Sequence, residues 1–326
     1  MKLVISIPVH EKPEVIKDQI ENIKKYCENP IIVLHISRGF FEKYSLEDLN
    51  NIENVYINPD HLETGWGNIL LTHVSNFYFI SNLLKFDYFL IQASNDMFVR
   101  KGIEQYIQNY RAGFCRRNII QQYSMWWPAQ MAWEDQQLKR IMNELGQTRI
   151  IATQVEGIFF DWDLADKVMQ IIHKNYRMIK GQTAYTREEF YFSTIASVFV
   201  DWAEVGYPTT YSEVHRFDRT LWKCRNFTRK IYYRCKINFL IPEQRYYEFE
   251  NWYNYVFFNS RFYKINRNLV NAVKDNKTKI IRRNSILNDY PGYFKLYDVE
   301  HVYSVKRITR DYKDKIRCYI RNLRLY

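Results

Sequence analysis

A chain of 326 residues with 47% hydrophobic content, 10 Gly and 8 Pro can bury a full core, and it is neither a disordered chain nor a repeat array. Its net charge of +11 is unevenly held: Val214 to Tyr326 carries 26 Lys+Arg against 10 Asp+Glu, while residues 1–213 are slightly acidic. Five scattered cysteines (Cys27, Cys115, Cys224, Cys235 and Cys318) form no CxxC pair, which fits a reducing compartment and offers no zinc motif, and the lack of a P-loop or GxGxxG argues against NTPases and dinucleotide enzymes.

Lys2 to His10 (KLVISIPVH) predicts a buried strand that ends polar. Its apolar run is short, is broken by Pro8 and gives way to His10-Glu11-Lys12, so it does not read as a signal peptide. No stretch approaches the ~18 apolar residues of a membrane span. The expectation is a cytoplasmic protein, peripheral at most on the inner face of the cytoplasmic membrane. Pro13 then opens a helical pattern (Val15, Ile16, Ile20, Ile23) ending near Tyr26. Strand 31–37, a short helix near Leu46–Leu49 and strand 55–58 follow. Gly65-Trp66-Gly67 opens a helix over 68–84, and strand 86–93 comes after it. This alternation predicts an α/β fold with a doubly wound, mostly parallel, Rossmann-like sheet. A helix over 101–110, a loop with a short helix in the aromatic stretch 123–133, a strand over 150–160, and helices over 164–173 and 188–200 complete the first part. Beyond Val214 the pattern is irregular, basic and Tyr-rich. Two regions result: 1–213 as the catalytic domain, and 214–326 as a basic, aromatic-rich C-terminal extension.

Residues 86–96 (FDYFLIQASND) draw attention first, because an apolar strand stops abruptly at Ser94-Asn95-Asp96. Ligands of open α/β sheets bind at the carboxyl ends of the strands. Asp96 is therefore a candidate for holding a sugar hydroxyl or a metal, with helix or turn capping as its plain alternative. His10 ends the first strand in a similar position. Asp161-Trp162-Asp163 is a DxD triplet that could hold Mg²⁺ or Mn²⁺ on a diphosphate. It also directly precedes a helix, where an N-cap Asp is ordinary, and the cap is the preferred reading. In Thr186 to Thr194 (TREEFYFST), Glu188 and Glu189 open an apolar helix, where they either favour the positive helix end or supply a general base. Trp126 and Trp127, followed by Pro128, are either core or a sugar-stacking face of an acceptor pocket.

These segments, in this order, resemble the core-2/I-branching glycosyltransferases and their xylosyltransferase relatives. Trp66-Gly67 is similar to that family's WG before its long helix. Phe86-Asp87-Tyr88-Phe89 through Asp96 is similar to its FDYF segment and Ser-Gly-x-Asp-x-Pro turn, although Ala93-Ser94 and Phe98 replace Ser-Gly and Pro. Glu189-Phe190-Tyr191-Phe192-Ser193-Thr194 is similar to its acidic motif, with Arg187-Glu188 in place of Pro-Asp. Glu156-Gly157 before Phe159-Phe160 matches a Gly-led strand between the motifs.

The resemblance implies a GT-A-like fold and an inverting transfer from a UDP-sugar to a glycan hydroxyl with no metal required, Mn²⁺ or Mg²⁺ on Asp161 and Asp163 being the alternative. It implies Glu189 as catalytic base. Asp96 and His10 are expected on the donor, and Glu156, Trp126 and Trp127 on the acceptor. Late basic residues would neutralise the diphosphate; Lys279, Arg282 and Arg283 are selected by charge density. The lack of an anchor points to bacterial surface-polysaccharide assembly, with a lipid-diphosphate-linked acceptor and an anionic membrane surface as further partners. A nucleic-acid-binding role for the basic region is the rival reading, disfavoured by the acidic first two-thirds.

Overall fold

The computed structural model describes residues 1–44, 46–65, 67–115, 117–119, 127–175, 185–211, 265–277, 279–282, 293–297 and 299–324. The first strand, β1 (Leu3–Val9), is buried along its whole length, as is β2 (Ile31–Ile36). Near-continuous apolar runs of this kind suit parallel strands covered on both faces. Between them lies α1 (Pro13–Tyr26), with Pro at its first position, Glu14 in its first turn and Lys24 and Lys25 in its last, an arrangement that complements the helix dipole. Next come the single-turn α2 (Arg38–Phe41), β3 (Val55–Ile57), α3 (Leu70–Leu83) and β4 (Tyr88–Ile91). The chain continues through β5 (Met97–Phe98), α4 (Ile103–Ile107), β6 (Ala112–Gly113), β7 (Arg117–Ile119), α5 (Trp127–Glu134), α6 (Gln136–Glu144) and β8 (Ile150–Ala152). Then follow β9 (Phe159–Asp161), α7 (Trp162–Lys174), α8 (Glu188–Ala196), β10 (Val205–Gly206) and β11 (Thr210–Tyr211). The C-terminal part supplies α9 (Arg267–Lys274), β12 (Lys279–Arg282), β13 (Tyr293–Tyr297), β14 (Ser304–Val305) and α10 (Lys315–Arg321).

Seven strands form the central sheet in the order β10-β6-β9-β4-β1-β2-β3. All neighbours run parallel except β9, which is antiparallel to both β4 and β6. This is a mostly parallel, Rossmann-type α/β sheet. Because β9 is reversed, Phe159 stands at the edge where the parallel strands end, and Asp161, paired with Tyr88, stands at the edge where they begin. One face packs against α3, α7 and α8 through Val4, Val33, Phe77, Phe89, Phe160, Val168 and Phe192. The other packs against α1 and α4 through Ile5, Ile7, Ile20, Leu34, Leu90 and Ile103.

A smaller sheet, β11-β14-β5, lies beyond the end of β4. There β14 pairs parallel with β11 and antiparallel with β5, so a strand from the C-terminal third is inserted beside the Asp96 turn. A third apolar cluster of Met97, Val99, Tyr211, Val270, Val302 and Ile320 fixes it there. Among the described residues, no helix is long and apolar enough to cross a membrane.

Some elements differ from the sequence expectation. The single strand over 150–160 is two: β8 pairs with β7 in a separate sheet and β9 joins the central one. Gly157, at φ +83°, turns the chain between them. The helix over 101–110 is only 103–107, entered through Gly102 at φ +98°. The helix from Glu188 ends at Ala196, not Val200. The aromatic stretch contributes α5, and α6 follows it without having been anticipated.

Candidate active site

The carboxyl edge of the sheet gathers the end of β4, the Gly157 turn, the start of α8 and the residues after β14. At the end of β4, Asp96 folds back so that its Oδ2 accepts the Ala93 N–H at 2.9 Å. The side chain is buried, and Oδ1 has no hydrogen-bond partner among the described residues. A buried acceptor left open in this way marks a place where a ligand group would fit. Glu11, one residue past His10, is also buried; it accepts a hydrogen bond from Ser94 Oγ at 3.1 Å and pairs with Arg310 Nε at 3.0 Å. His10 Nδ1 lies 3.1 Å from Thr64 Oγ1. Burial, reinforced by Arg310, pushes His10 down to about 4, so it is neutral at pH 7.

Glu156 stands opposite. Its Oε2 accepts a hydrogen bond from Lys306 Nζ at 2.7 Å, and both side chains are largely out of solvent. The turn beneath them leaves no slack. Gly157 N–H donates to Ile91 O at 2.7 Å, Thr209 N–H donates to Gly157 O at 2.9 Å, and a Cβ on Gly157 would sit 2.4 Å from Thr210 N. Gln154 Nε2 donates to Glu156 O and Thr210 O, at 2.7 and 2.6 Å. Thr210 Oγ1 meets Ser304 Oγ at 2.7 Å, and Gln92 Nε2 donates to both hydroxyls. This buried polar layer ties β4, β11 and β14 together and presents Lys306 to Glu156.

Glu188 and Glu189 occupy the first turn of α8. The helix is fastened to β8: Thr153 N–H donates to Glu189 O at 2.9 Å, and Ser193 Oγ donates to Ile151 O at 2.5 Å. On its flank Asp135 collects three donors on one oxygen: Tyr185 Oη at 2.5 Å, Tyr191 Oη at 2.9 Å and Arg187 Nε at 3.2 Å. Its other oxygen caps α6. The segment carrying both glutamates is thereby held from two sides.

The electrostatics of these groups are coupled. Burial pushes Glu189 up to about 7, with Lys306 working against the rise and Glu156 adding to it. Glu188 is pushed up to about 8 by burial, then by Glu189 and Glu156. Burial and the neighbouring Glu156 hold Asp96 well above the usual carboxylate range. Burial would also raise Glu156, yet Lys306 at 2.7 Å outweighs it and keeps that carboxyl low. The neighbouring Asp96 and Glu156 are thus shifted in opposite directions, Asp96 up and Glu156 down. Lys306 acts on three carboxyl groups, of which Asp96 and Glu189 are shifted up and Glu156 down. Such separation of titratable groups is the pattern of acid–base sites.

Of the residues singled out from sequence, Asp96, Glu156 and Glu189 converge here, with His10 at the end of β1. Asp161 and Asp163 do not. Asp161 caps α7 through Leu164 N–H at 2.7 Å, pairs with Arg111 Nε at 2.7 Å, and stands with the exposed Asp163 at the opposite edge of the sheet. Among the described residues, no three His, Cys, Asp or Glu side chains come together as a metal-ligand group. Trp127 begins α5; Trp126 lies outside the described residues, as do Arg283 and Trp66. Lys279 and Arg282 are the end residues of β12, paired with Tyr297 and Tyr293 of β13. Three basic residues at the site, Lys306, Arg307 and Arg310, were not picked out from sequence. Their signal was slight: a two-residue buried strand, Ser304-Val305, that ends in charge. Arg307 has φ +63°, a conformation non-glycine residues seldom adopt and one that clusters at functional sites.

No protein-family model matches the chain, and no curated protein matches it significantly. Among solved structures, the galactosyltransferase LgtC in complex with donor and acceptor sugar analogs is similar over 69% of this chain and 83% of its own, at 8% identity and a TM-score of 0.37. An active-site mutant of LgtC gives the same coverage at 9% identity and a TM-score of 0.37. The apo-form glycosyltransferase GlyE of Streptococcus pneumoniae TIGR4 is similar over 74% of this chain and 51% of its own, at 8% identity and a TM-score of 0.31. Likeness at this level bears on neither reaction nor substrate.

Proposed function

We propose that this chain is an inverting glycosyltransferase that moves a sugar from a UDP-sugar to a glycan hydroxyl. The observation that supports this most is the meeting of Asp96, Glu156, Glu189 and Lys306 at the carboxyl edge of a Rossmann-type sheet. Glu189, half-buried on the first turn of α8, takes the proton of the attacking hydroxyl as that oxygen adds to the anomeric carbon. The sugar–phosphate bond breaks on the opposite face, which inverts the configuration. General-base assistance of this kind contributes about 10²–10⁴ in rate. Asp96 holds a donor hydroxyl, and Glu156 receives an acceptor hydroxyl. Lys306, Arg307 and Arg310, with Lys279, Arg282 and Arg283 as further candidates, stabilise the charge that grows on the departing diphosphate. Transfer to a lipid-diphosphate-linked acceptor at a membrane is the setting in which we place the reaction.

A metal-dependent, retaining transfer through Asp161 and Asp163 is the second reading. It is weakened by the use of Asp161 as a helix cap and ion-pair partner at the far edge of the sheet. Thermal unfolding with a panel of UDP-sugars, with and without Mn²⁺, tests both. A ligand at a hundredfold its dissociation constant stabilises by about 2.7 kcal/mol. A rise with one UDP-sugar in the absence of metal is the expected result. A rise only with Mn²⁺ would favour the second reading, and no rise with any donor would remove the nucleotide-sugar reading.

A further inference from the structure

We infer that Lys306 has two exclusive partners, Glu156 and the donor's diphosphate, so that donor binding releases Glu156 to take the acceptor hydroxyl. This rests on the nucleotide-sugar reading above. In the structure the lysine is committed to Glu156 at 2.7 Å, with side-chain exposures of 12% and 15%. Both backbones are fixed. Around Lys306, Ser304 N–H donates to Thr209 O at 3.2 Å and Ile308 N–H donates to Asn95 O at 3.1 Å, while the Ser304 hydroxyl is buried against Thr210. Around Glu156, the carbonyl accepts from Gln154 and the next N–H donates to Ile91 O. Only the side chains are left to exchange partners, and the lysine stem is the flexible one, carrying three donors at its tip.

The exchange has a consequence for order. A diphosphate that draws Lys306 away leaves Glu156 as a charge among buried groups, next to Asp96 and Glu189. An uncompensated charge there is costly unless a donor reaches it. An acceptor hydroxyl is such a donor, so the acceptor site becomes favourable once the donor is in place, and the two ligands bind with positive coupling. Moving Lys306 away from Glu189 also leaves that carboxylate a stronger base at the same moment. Arg310, by contrast, is two-thirds exposed and already paired with Glu11, so it offers a second phosphate contact without bearing on Glu156.

The sign of one substitution separates this role from a structural one. Titration calorimetry of UDP, and of inorganic pyrophosphate, would be run on wild type, Glu156→Gln, Lys306→Met and the double variant. Removing the competing carboxylate is expected to tighten UDP binding by about fivefold or more, the lower end of ordinary coupling between sites. Lys306→Met is expected to weaken it, and the double variant to match Lys306→Met. Glu156→Asp, which withdraws the charge from Lys306, should fall between wild type and Glu156→Gln. A damaged fold cannot produce the tightening. If wild type binds UDP and Glu156→Gln binds it equally or more weakly, the exchange is wrong while the donor reading stands. If none of the proteins binds UDP or pyrophosphate, the donor reading fails and the exchange with it.

Discussion

The guanidinium of Arg317 lies 2.5 Å from the carboxylate of Asp18, joining the last helix to the first across 299 residues with both side chains wholly buried. Lys25 Nζ adds hydrogen bonds to the carbonyls of Arg321 and Leu323, at 2.9 and 2.7 Å. The C-terminal segment is thus anchored at α10 and at β14, and residues 306–310 span the site between those anchors. Removing Arg317 leaves buried Asp18 with only the more distant Arg321 Nε, at 3.4 Å, to offset its charge. Arg317→Ala is therefore expected to destabilise by about 3–5 kcal/mol in urea unfolding, and Arg317→Met with Asp18→Leu to recover much of that loss. A loss under about 1 kcal/mol for the single variant would mean that the pair is not closed in solution.

Asp135 makes a second, local prediction. Its Oδ2 receives Tyr185, Tyr191 and Arg187, the residues that bracket Glu188 and Glu189. In Asp135→Asn an amide group faces donors, so at least one buried partner loses its bond, at about 1–3 kcal/mol. Turnover should fall alongside stability, because the base-bearing turn loses one of its two fastenings. Retained stability with unchanged turnover would show that β8 alone positions the turn.

Much of this arrangement was readable in the sequence wherever a single segment carried both the structural and the chemical signal. The buried runs of β1, β2 and β4 announced a parallel sheet, and the abrupt polar end of β4 announced Asp96. Glu189 stood out only through the motif around it. What could not be read was pairing at long range. Lys306 meets Glu156 across 150 residues, and the strand that leads to it, β14, is two residues long. Charge density pointed to Lys279, Arg282 and Arg283, and density says nothing about which cation the fold returns to the sheet. The DxD triplet was ambiguous for the opposite reason: its spacing suits both a metal and a helix cap, and only the reversal of β9 places Asp161 at the far edge.

The two neighbouring glutamates of α8 predict a pH dependence. Glu188, pushed up to about 8 by burial, has an ordinary value of 4.5 when the chain is unfolded. Between those values the folded protein binds the extra proton, so the contribution of Glu188 to stability falls as pH rises through that window. Glu188→Gln removes this dependence. Its stability relative to wild type should increase from about pH 4.5 to about pH 8 by on the order of a few kcal/mol, followed by urea unfolding at each pH. A difference that is flat across the window would mean that Glu188 is charged in the folded protein.

Asp161 predicts a separation of stability from activity. Asp161→Ala deletes the cap of α7 and the partner of Arg111, costing about 1–2 kcal/mol. Turnover per folded molecule should be unchanged, and EDTA should leave it unchanged too. Activity lost to EDTA and restored by Mn²⁺ would transfer the account to Asp161 and Asp163.

The central claim is that Glu189 accepts the proton during sugar transfer at the carboxyl edge. UDP release from the donor selected by thermal unfolding, measured from about pH 5.5 to about pH 8.5 for wild type and Glu189→Gln, tests it most directly. The account predicts that wild-type kcat/KM rises with pH through a midpoint near 7, where burial places Glu189 in the unliganded protein, and that Glu189→Gln is slower by about 10² or more with UDP binding intact. Release by Glu189→Gln at near wild-type rate, with the same pH profile, would contradict it.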